Sequence, residues 1–272
     1  MATDYRTKKR FGQHFLHERR YIDAILFAAN LTPDTRVLEI GPGMGALTLP
    51  LLDRVSELHV MEIDRDLIAH YQKLDPIGML LHQGDALKLD WRQLLTHPPY
   101  TLVSNLPYNI SSQILFRLLD HRDLFECAVL MFQREVADRI CATPATRDYG
   151  ILSVLCQMWF EVRRVVNVPA GAFTPPPKVE SAVVLLAPRL TPRYPLTDDA
   201  FFRRLVKAAF AQRRKTLRNT LRGTGFDSAA IDKGCMVAGI DSERRGETLT
   251  LAEFAALADA LGAEIMTEEG NS

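Results

Sequence analysis

The chain has 272 residues, 47% apolar and 24% charged, with Lys+Arg and Asp+Glu both at 33 and a formal net charge of zero. That is enough for one large α/β domain, with or without a small second one, to bury a core that needs no staples. No run of about 18 apolar residues appears, which argues against a transmembrane helix.

The first stretch, MATDYRTKKRFGQHFLHERR, is polar and basic with no apolar segment behind it, so a secretory signal is not expected. Residues 1–20 carry Arg6, Lys8, Lys9, Arg10, Arg19 and Arg20 against Asp4 and Glu18, and read as a basic arm. The four cysteines, Cys127, Cys141, Cys156 and Cys235, form no Cys-x-x-Cys pair and have no His at a ligand spacing. They read as small hydrophobes in a reducing compartment, with no metal expected.

Apolar runs then alternate with helix-period segments. RVLEI (36–40), ELHVMEI (57–63), GMLLHQ (78–83), YTLVS (100–104) and CAVLMFQ (127–133) read as buried strands. Helices are expected over 48–55, 65–74 after Asp64, and 111–119 from a Ser cap. Strand and helix in alternation is the pattern of a parallel sheet with helices on both faces, a doubly wound α/β fold.

The first strand runs into VLEIGPGMGALT, with Gly41, Gly43 and Gly45 between strand and helix. Such glycines let the backbone turn tightly and approach a ligand, and a following helix offers unpaired N–H groups. Roughly twenty residues on, the second strand ends in Glu62, whose carboxylate can accept both hydroxyls of a ribose. Gly41-x-Gly43-x-x-Ala46 with Glu62 also fits the dinucleotide fingerprint. The loop therefore points to a nucleoside cofactor without saying which. The third strand ends in Gly84-Asp85-Ala86. An acid there can accept the exocyclic amine of an adenine while the next N–H reaches a ring nitrogen, which favours S-adenosyl-L-methionine.

The fourth strand ends in VSNLPYNISS (103–112). Turn chemistry accepts Asn and Pro but does not ask for the tyrosine. Methylating an exocyclic amine is hard because its lone pair is delocalised into the ring. Asn105 and a neighbouring carbonyl can hold both N–H hydrogens so that the lone pair faces a methyl donor. Pro107, with φ fixed, shapes the turn, and Tyr108 offers a flat stacking surface. These residues form an amine-holding clamp that needs no general base. An ordinary turn with a buried tyrosine is the alternative, disfavoured by the clamp's place after the loop, Glu62 and Asp85.

Residues 157–169 and 180–188 have strand composition and suggest an antiparallel pair at a sheet edge. Pro188, Pro192 and Pro195 mark a linker. Beyond it, 198–211, 216–221, 227–233 and 251–261 read as helices of a small domain. The domains are thus expected at 1–190 and 191–272. Residues 203–222 hold eight basic side chains, among them Arg213, Arg214, Lys215 and Arg218, and no acid, which suggests a polyanion contact.

FGQHFL (11–16), EIGPGMGALT (39–48), NLPYNIS (105–111), FTPPPKVESAVV (173–184) and FAQRRKTLRNTL (210–221) together resemble the ribosomal RNA adenine N6,N6-dimethyltransferases over nearly the whole chain. The last two blocks resemble the bacterial small-subunit branch. The resemblance implies a Rossmann-like S-adenosylmethionine-dependent methyltransferase sheet with an antiparallel last strand and a small C-terminal helical domain. It implies dimethylation of two adjacent adenines near the 3′ end of 16S ribosomal RNA, with a role in small-subunit assembly, by a cytoplasmic enzyme. It also implies that His14 and Leu16 close over the cofactor and that Gly41 lies by its methionine part. Glu62 then lies at the ribose, Asp85 and Ala86 at the adenine, and Asn105 between cofactor and target amine. Phe173 would stack on the target base opposite Tyr108, and Arg213, Arg214, Lys215 and Arg218 would meet RNA backbone. The family commonly has Asn where His14 stands. No stable oligomer is hinted at, so a monomer is expected. The rivals are a methyltransferase for large-subunit RNA or DNA adenine, a non-catalytic ribosome-binding or transcription factor on the same fold, and a nicotinamide-dependent oxidoreductase.

Overall fold

A computed structural model describes residues 13–269, so Arg6, Lys8, Lys9 and Arg10 of the basic arm lie outside the described residues. The chain forms two compact units. One comprises the chain up to Ala137 together with Glu161–Pro188; the other comprises Asp138–Phe160 and the chain from Arg189 onward.

The first unit opens with β1 (Phe15–Leu16), α1 (Arg19–Ala29), β2 (Arg36–Ile40), α2 (Thr48–Leu52), β3 (Glu57–Glu62), α3 (Arg65–Leu74), β4 (Met79–Gln83) and α4 (Trp91–Leu94). It continues with β5 (Tyr100–Asn105), α5 (Ser111–Asp120), β6 (Phe125–Gln133) and the start of α6 (Arg134–Cys141). After α7 (Ile151–Trp159) of the second unit come β7 (Phe160–Val168), β8 (Phe173–Thr174) and β9 (Ser181–Pro188).

Seven strands make one sheet in the order β4-β3-β2-β5-β6-β9-β7. From β4 to β6 the neighbours are parallel, and β9 runs antiparallel to β6, pairing Met131 with Val183. Consecutive residues of β2, β3 and β5 are buried almost without interruption. Because successive side chains point to opposite faces, both faces of the sheet are covered. This is why these strands show as unbroken apolar runs. The doubly wound expectation is met, and five strand cores and the helix at 65–74 fall where the pattern puts them. Asp64 caps α3 by accepting from Asp66 N–H at 3.0 Å.

Three expectations are corrected. Gln157–Trp159, read as strand, are the last turn of α7; a short apolar run does not distinguish a buried helix from a strand. Within the arm, 15–16 is a strand and Arg19 and Arg20 begin α1. Asp138–Phe160 groups with the C-terminal helices, whereas the sequence draws a single boundary at 190–191. Its α7 carries buried Val154, Leu155, Cys156 and Met158, and the prolines at 188–195 mark only the last of the three crossings.

In the second unit α7 packs with α8 (Asp199–Ala209), α9 (Leu217–Gly223), α10 (Ser228–Val237) and α11 (Leu251–Glu269). Its core includes Phe202, Leu205, Leu221, Ile231, Phe254 and Leu257. A Cβ on Gly234 would lie 2.7 Å from the Leu261 side chain, so glycine lets α10 and α11 approach closely.

Candidate active site

In the sheet the chain moves outward from β2 through β3 to β4, then returns to place β5 on the other side of β2. The carboxyl ends of β2 and β5 flank this reversal, the position where open α/β sheets leave a crevice for ligands. Ser104 ties the two ends together by donating to the Ile40 carbonyl at 2.5 Å. A cavity of about 300 Å³ opens there. Its wall includes His14, Leu16, Gly41, Gly43, Glu62, Asp85, Ala86, Asn105, Pro107 and Tyr108. Four strand ends and the N-terminal segment thus bring together ten of the sequence-predicted residues. Gly45 and Phe173 are not in the wall.

Gly41 and Gly43 have φ of +72° and +55°, which L side chains rarely adopt. A Cβ on Gly43 would lie 2.9 Å from the ring of Phe15, so the N-terminal segment crosses directly over the loop. β1 is held there by β8, with Leu16 opposite Phe173, and by His17 N–H donating to the Ala172 carbonyl at 3.0 Å. That pairing explains Phe173: it is 2% exposed and belongs to an apolar cluster with Leu16. The sequence puts its ring on the target base, and the structure does not bring it to the cavity. The five-residue α2 starts at Thr48, just past the wall residues Ala46 and Leu47, and its Leu49 N–H is already given to the Gly45 carbonyl.

The acids are oriented by backbone. Glu62 Oε1 accepts the N–H groups of Ile63 and Asp64, both at 2.7 Å. Asp85 Oδ1 accepts Leu87 N–H at 2.9 Å. Two residues that sequence reasoning missed brace the Asp85 turn. The Trp91 indole donates to the Ala86 carbonyl at 3.0 Å, and the Arg117 guanidinium donates to the Leu87 and Leu89 carbonyls at 2.7 Å each. The signal for Arg117 was a lone basic residue inside the apolar run ILFRLL. Glu39 was also missed. It is 2% exposed, lines the cavity, and its Oε2 has no hydrogen-bond partner. Burial foremost, with repulsion from Glu62 and against a hydrogen bond from Thr48, pushes its carboxyl up to about 8.

At the end of β5, Asn105 donates through Nδ2 to the His14 carbonyl at 3.2 Å. One of the two N–H donors of the amide is thereby used, and Oδ1 is an acceptor not engaged by that bond. In the following turn the Pro107 carbonyl accepts Ile110 N–H at 3.1 Å and the Tyr108 carbonyl accepts the Ser111 hydroxyl at 3.1 Å. Leu106 stays in the wall between them. The Tyr108 hydroxyl and that of Ser181 lie 2.6 Å apart, which fixes the ring. Burial, opposed by that hydrogen bond, holds the phenol above its ordinary pKa, so Tyr108 stays neutral. The His14 imidazole stacks on Tyr108 with centroids 5.5 Å apart at 26°, and its Nδ1 lies 2.8 Å from the Pro175 carbonyl.

The four basic residues expected to meet RNA lie in the second unit, three of them in the turn between α8 and α9 rather than on a helix. Arg213 donates to the Arg147 carbonyl and pairs with Glu247 at 3.4 Å. Arg218 forms a bidentate pair with Asp232 at 2.7 and 2.8 Å. Among the described residues Arg214 and Lys215 enter no ion pair, and both are exposed.

A nucleoside-sized cavity at the reversal of a parallel sheet, closed by an antiparallel strand, defines a Rossmann-like methyltransferase fold. The chain belongs to the family described as ribosomal RNA adenine dimethylase, whose profile matches residues 5–259. It is 59% identical over 258 residues to a ribosomal RNA small subunit methyltransferase A of Syntrophotalea carbinolica, covering 95% of this chain and 98% of that protein. A protein of the same name from Laribacter hongkongensis is 47% identical, covering 94% and 96%. Among solved structures, a dimethyladenosine transferase from Plasmodium falciparum matches with a TM-score of 0.72 and 28% identity over 90% of this chain and 96% of that one. The 23S rRNA methyltransferase ErmE matches with a TM-score of 0.67 and 28% identity over 91% and 99%. The chain is accordingly an rRNA adenine dimethyltransferase.

Proposed function

We propose that the chain dimethylates the N6 amino groups of two adjacent adenines near the 3′ end of 16S ribosomal RNA, in the small ribosomal subunit, using S-adenosyl-L-methionine. We take it to act in the cytoplasm as a monomer; among the described residues no helix is long and apolar enough to cross a membrane. The small-subunit names of the relatives above support this target over a large-subunit one.

The cavity fits the cofactor. The positive-φ glycines let the loop turn closely beneath the N-terminal segment, where a Cβ at Gly43 would lie 2.9 Å from the Phe15 ring. Among the described residues the wall contains Glu39, Glu62 and Asp85 but no Lys or Arg, which suits a cationic ligand better than a pyrophosphate. In this reading Glu62 accepts the ribose hydroxyls, Asp85 the adenine amine, and Ala86 N–H meets a ring nitrogen. Gly41 and Gly43 take the methionine end, under Leu16 and His14. S-adenosylmethionine, when bound, supplies an electrophilic sulfonium methyl group.

One observation carries the catalytic reading: Asn105 sits in the cavity wall, anchored by one N–H of its amide on the His14 carbonyl, and its Oδ1 can accept. Asn105 Oδ1 and the Leu106 carbonyl hold the two N–H hydrogens of a target amine. Tyr108, locked by Ser181, gives the base a surface whose stacking contributes about 1–3 kcal/mol. Holding the amine in near-attack geometry lowers the barrier by about 7–11 kcal/mol in well-aligned cases, so no base need remove a proton first. The adenine must leave its stack to enter. His14 now shares the Tyr108 ring, so an incoming base must pack beside it or displace it. Phe173 joins the stack only if the β1–β8 pair opens. Arg214 and Lys215 supply phosphate contacts, which position without reading sequence.

The test is methyl transfer from labelled S-adenosylmethionine to undermethylated small subunits, naked 16S RNA and large subunits in parallel. We expect four methyl groups per small subunit, two on each adenine. Preferential labelling of the large subunit, or of none, contradicts the proposal.

A further inference from the structure

We propose that Glu39 is a proton-carrying binding group for the cofactor's positive charge, neutral in the unliganded cavity and ionised, with its proton released to solvent, when the cation enters. This rests on the S-adenosylmethionine reading above and adds a group and a proton to it.

The geometry makes the empty state neutral. Glu39 is two residues before Gly41, at the end of β2, and 2% exposed. Its side chain lines the cavity, and its fully buried Oε2 has no hydrogen-bond partner among the described residues. An ionised carboxylate there would be buried without a counter-charge, which proteins avoid by neutralising it. The groups around it reinforce this. From β3 comes Glu62, a second carboxyl that repels a charge on Glu39. From α2 comes Thr48, a hydroxyl only, in contact with the Tyr71 hydroxyl of α3 at 3.3 Å. Tyr71 stays neutral, because burial and then Glu39 itself push its hydroxyl up. Among the described residues the remaining titratable groups of the wall are His14, Asp85 and Tyr108.

A cation beside Glu39 reverses the balance, since an opposite charge at short range favours the ionised form. The step is balanced: Glu39–COOH plus the cationic ligand gives the Glu39–COO⁻ ion pair plus H⁺. With the free carboxyl titrating near 8, the group is protonated at pH 7 and nearly one proton leaves per ligand bound. The cofactor carries two candidate cations, the sulfonium, which the product thioether lacks, and the α-ammonium, which the product keeps.

The experiment is titration calorimetry of the full chain at pH 7 with S-adenosylmethionine, in phosphate, HEPES and Tris, whose ionisation enthalpies differ. Glu39→Gln, which mimics the protonated side chain, is run beside the wild type. We expect about one more proton released by the wild type than by the variant, with the variant still binding. Repeating with S-adenosylhomocysteine assigns the charge: release lost with this ligand identifies the sulfonium, release kept identifies the ammonium. Equal proton release in wild type and Glu39→Gln overturns the inference and leaves the cofactor reading intact. No binding by the folded wild type overturns both. Should the variant fail to fold, the wild-type affinity decides. It should rise by up to about tenfold per unit between pH 6 and 8 and then level off; a flat profile overturns the inference.

Discussion

The strand-end cavity and the basic turn between α8 and α9 were both singled out by residue type, yet only one keeps its candidates together. At the cavity, Gly41, Glu62, Asp85 and Asn105 are each tied to the end of a strand whose place is set by the hydrogen-bond ladder. Position in the pattern therefore fixes position in space. In and just after the basic turn, four candidates were singled out for their charge, and two are already used. Arg213 is held by Glu247 and the Arg147 carbonyl, and Arg218 by Asp232. Counting charges along a sequence measures supply; availability depends on acids contributed by distant elements.

The sharpest way to break this contrast is Asn105→Ala. We predict a loss on the order of 10²–10³-fold in single-turnover methyl transfer, by analogy with removal of one oriented hydrogen-bonding group at a reacting centre. Circular dichroism should be unchanged. Turnover within a few-fold of wild type would show that the amine is not gripped there.

Next in size is the pH dependence of stability at Glu39. Its folded pKa, about 8, lies above its ordinary 4.5, so the fold favours the protonated form. That contribution is complete below 4.5 and is lost as pH rises through 8. The stability of Glu39→Gln relative to wild type should therefore grow between pH 5 and 8, by at most about 1.4 kcal/mol per unit. Urea melts of the ligand-free proteins at pH 5, 6, 7 and 8 measure it, and parallel curves would contradict the assignment.

The basic turn is sharpened by dividing its charges. Replacing Arg214 and Lys215 with Gln should flatten the salt dependence of subunit binding by about 0.7–0.9 in log–log slope per phosphate contact removed. Arg218→Gln should change that slope less, because Asp232 already occupies its guanidinium. Equal slopes for the two variants would erase the distinction between available and committed charge.

The smallest effect concerns the Arg244–Glu253 pair at 2.5 Å in the helical unit. Its hydrogen bond, with help from Thr250, holds Glu253 down near 2 despite partial burial. A depressed carboxyl stabilises above 4.5 and loses that contribution as pH falls through 2. The pair is partly exposed, so Arg244→Gln should cost about 1 kcal/mol at pH 7 and little near pH 2. Thermal melts at the two pH values check this.

The same contrast explains what was legible in the sequence. β2, with its RVLEI run, is read almost to the residue because burial on both faces leaves an unbroken apolar signature. α7 is not, since its apolar residues, Ile151 to Trp159, continue into β7 without a breaker. Asp85 stands out as an acid just beyond an apolar run, and Glu62 by its distance of about twenty residues from the glycines. Glu39 lies within an apolar run, so nothing in RVLEI separates a wall carboxyl from an oddity of the strand. Trp91 acts through a backbone carbonyl, which leaves no mark on residue type, and Arg117 shows only as a lone basic residue in ILFRLL. Phe173 shows the opposite error: the motif names the ring, but its partner across β1–β8 decides where it points.

The most direct measurement is mass spectrometry of nucleosides from small-subunit RNA of cells with the gene, without it, and with the Asn105→Ala form restored. We predict N6,N6-dimethyladenosine at two adjacent 16S positions in the first and at neither in the other two. Dimethyladenosine persisting without the gene, or restored in full by Asn105→Ala, would contradict the function assigned to this cavity.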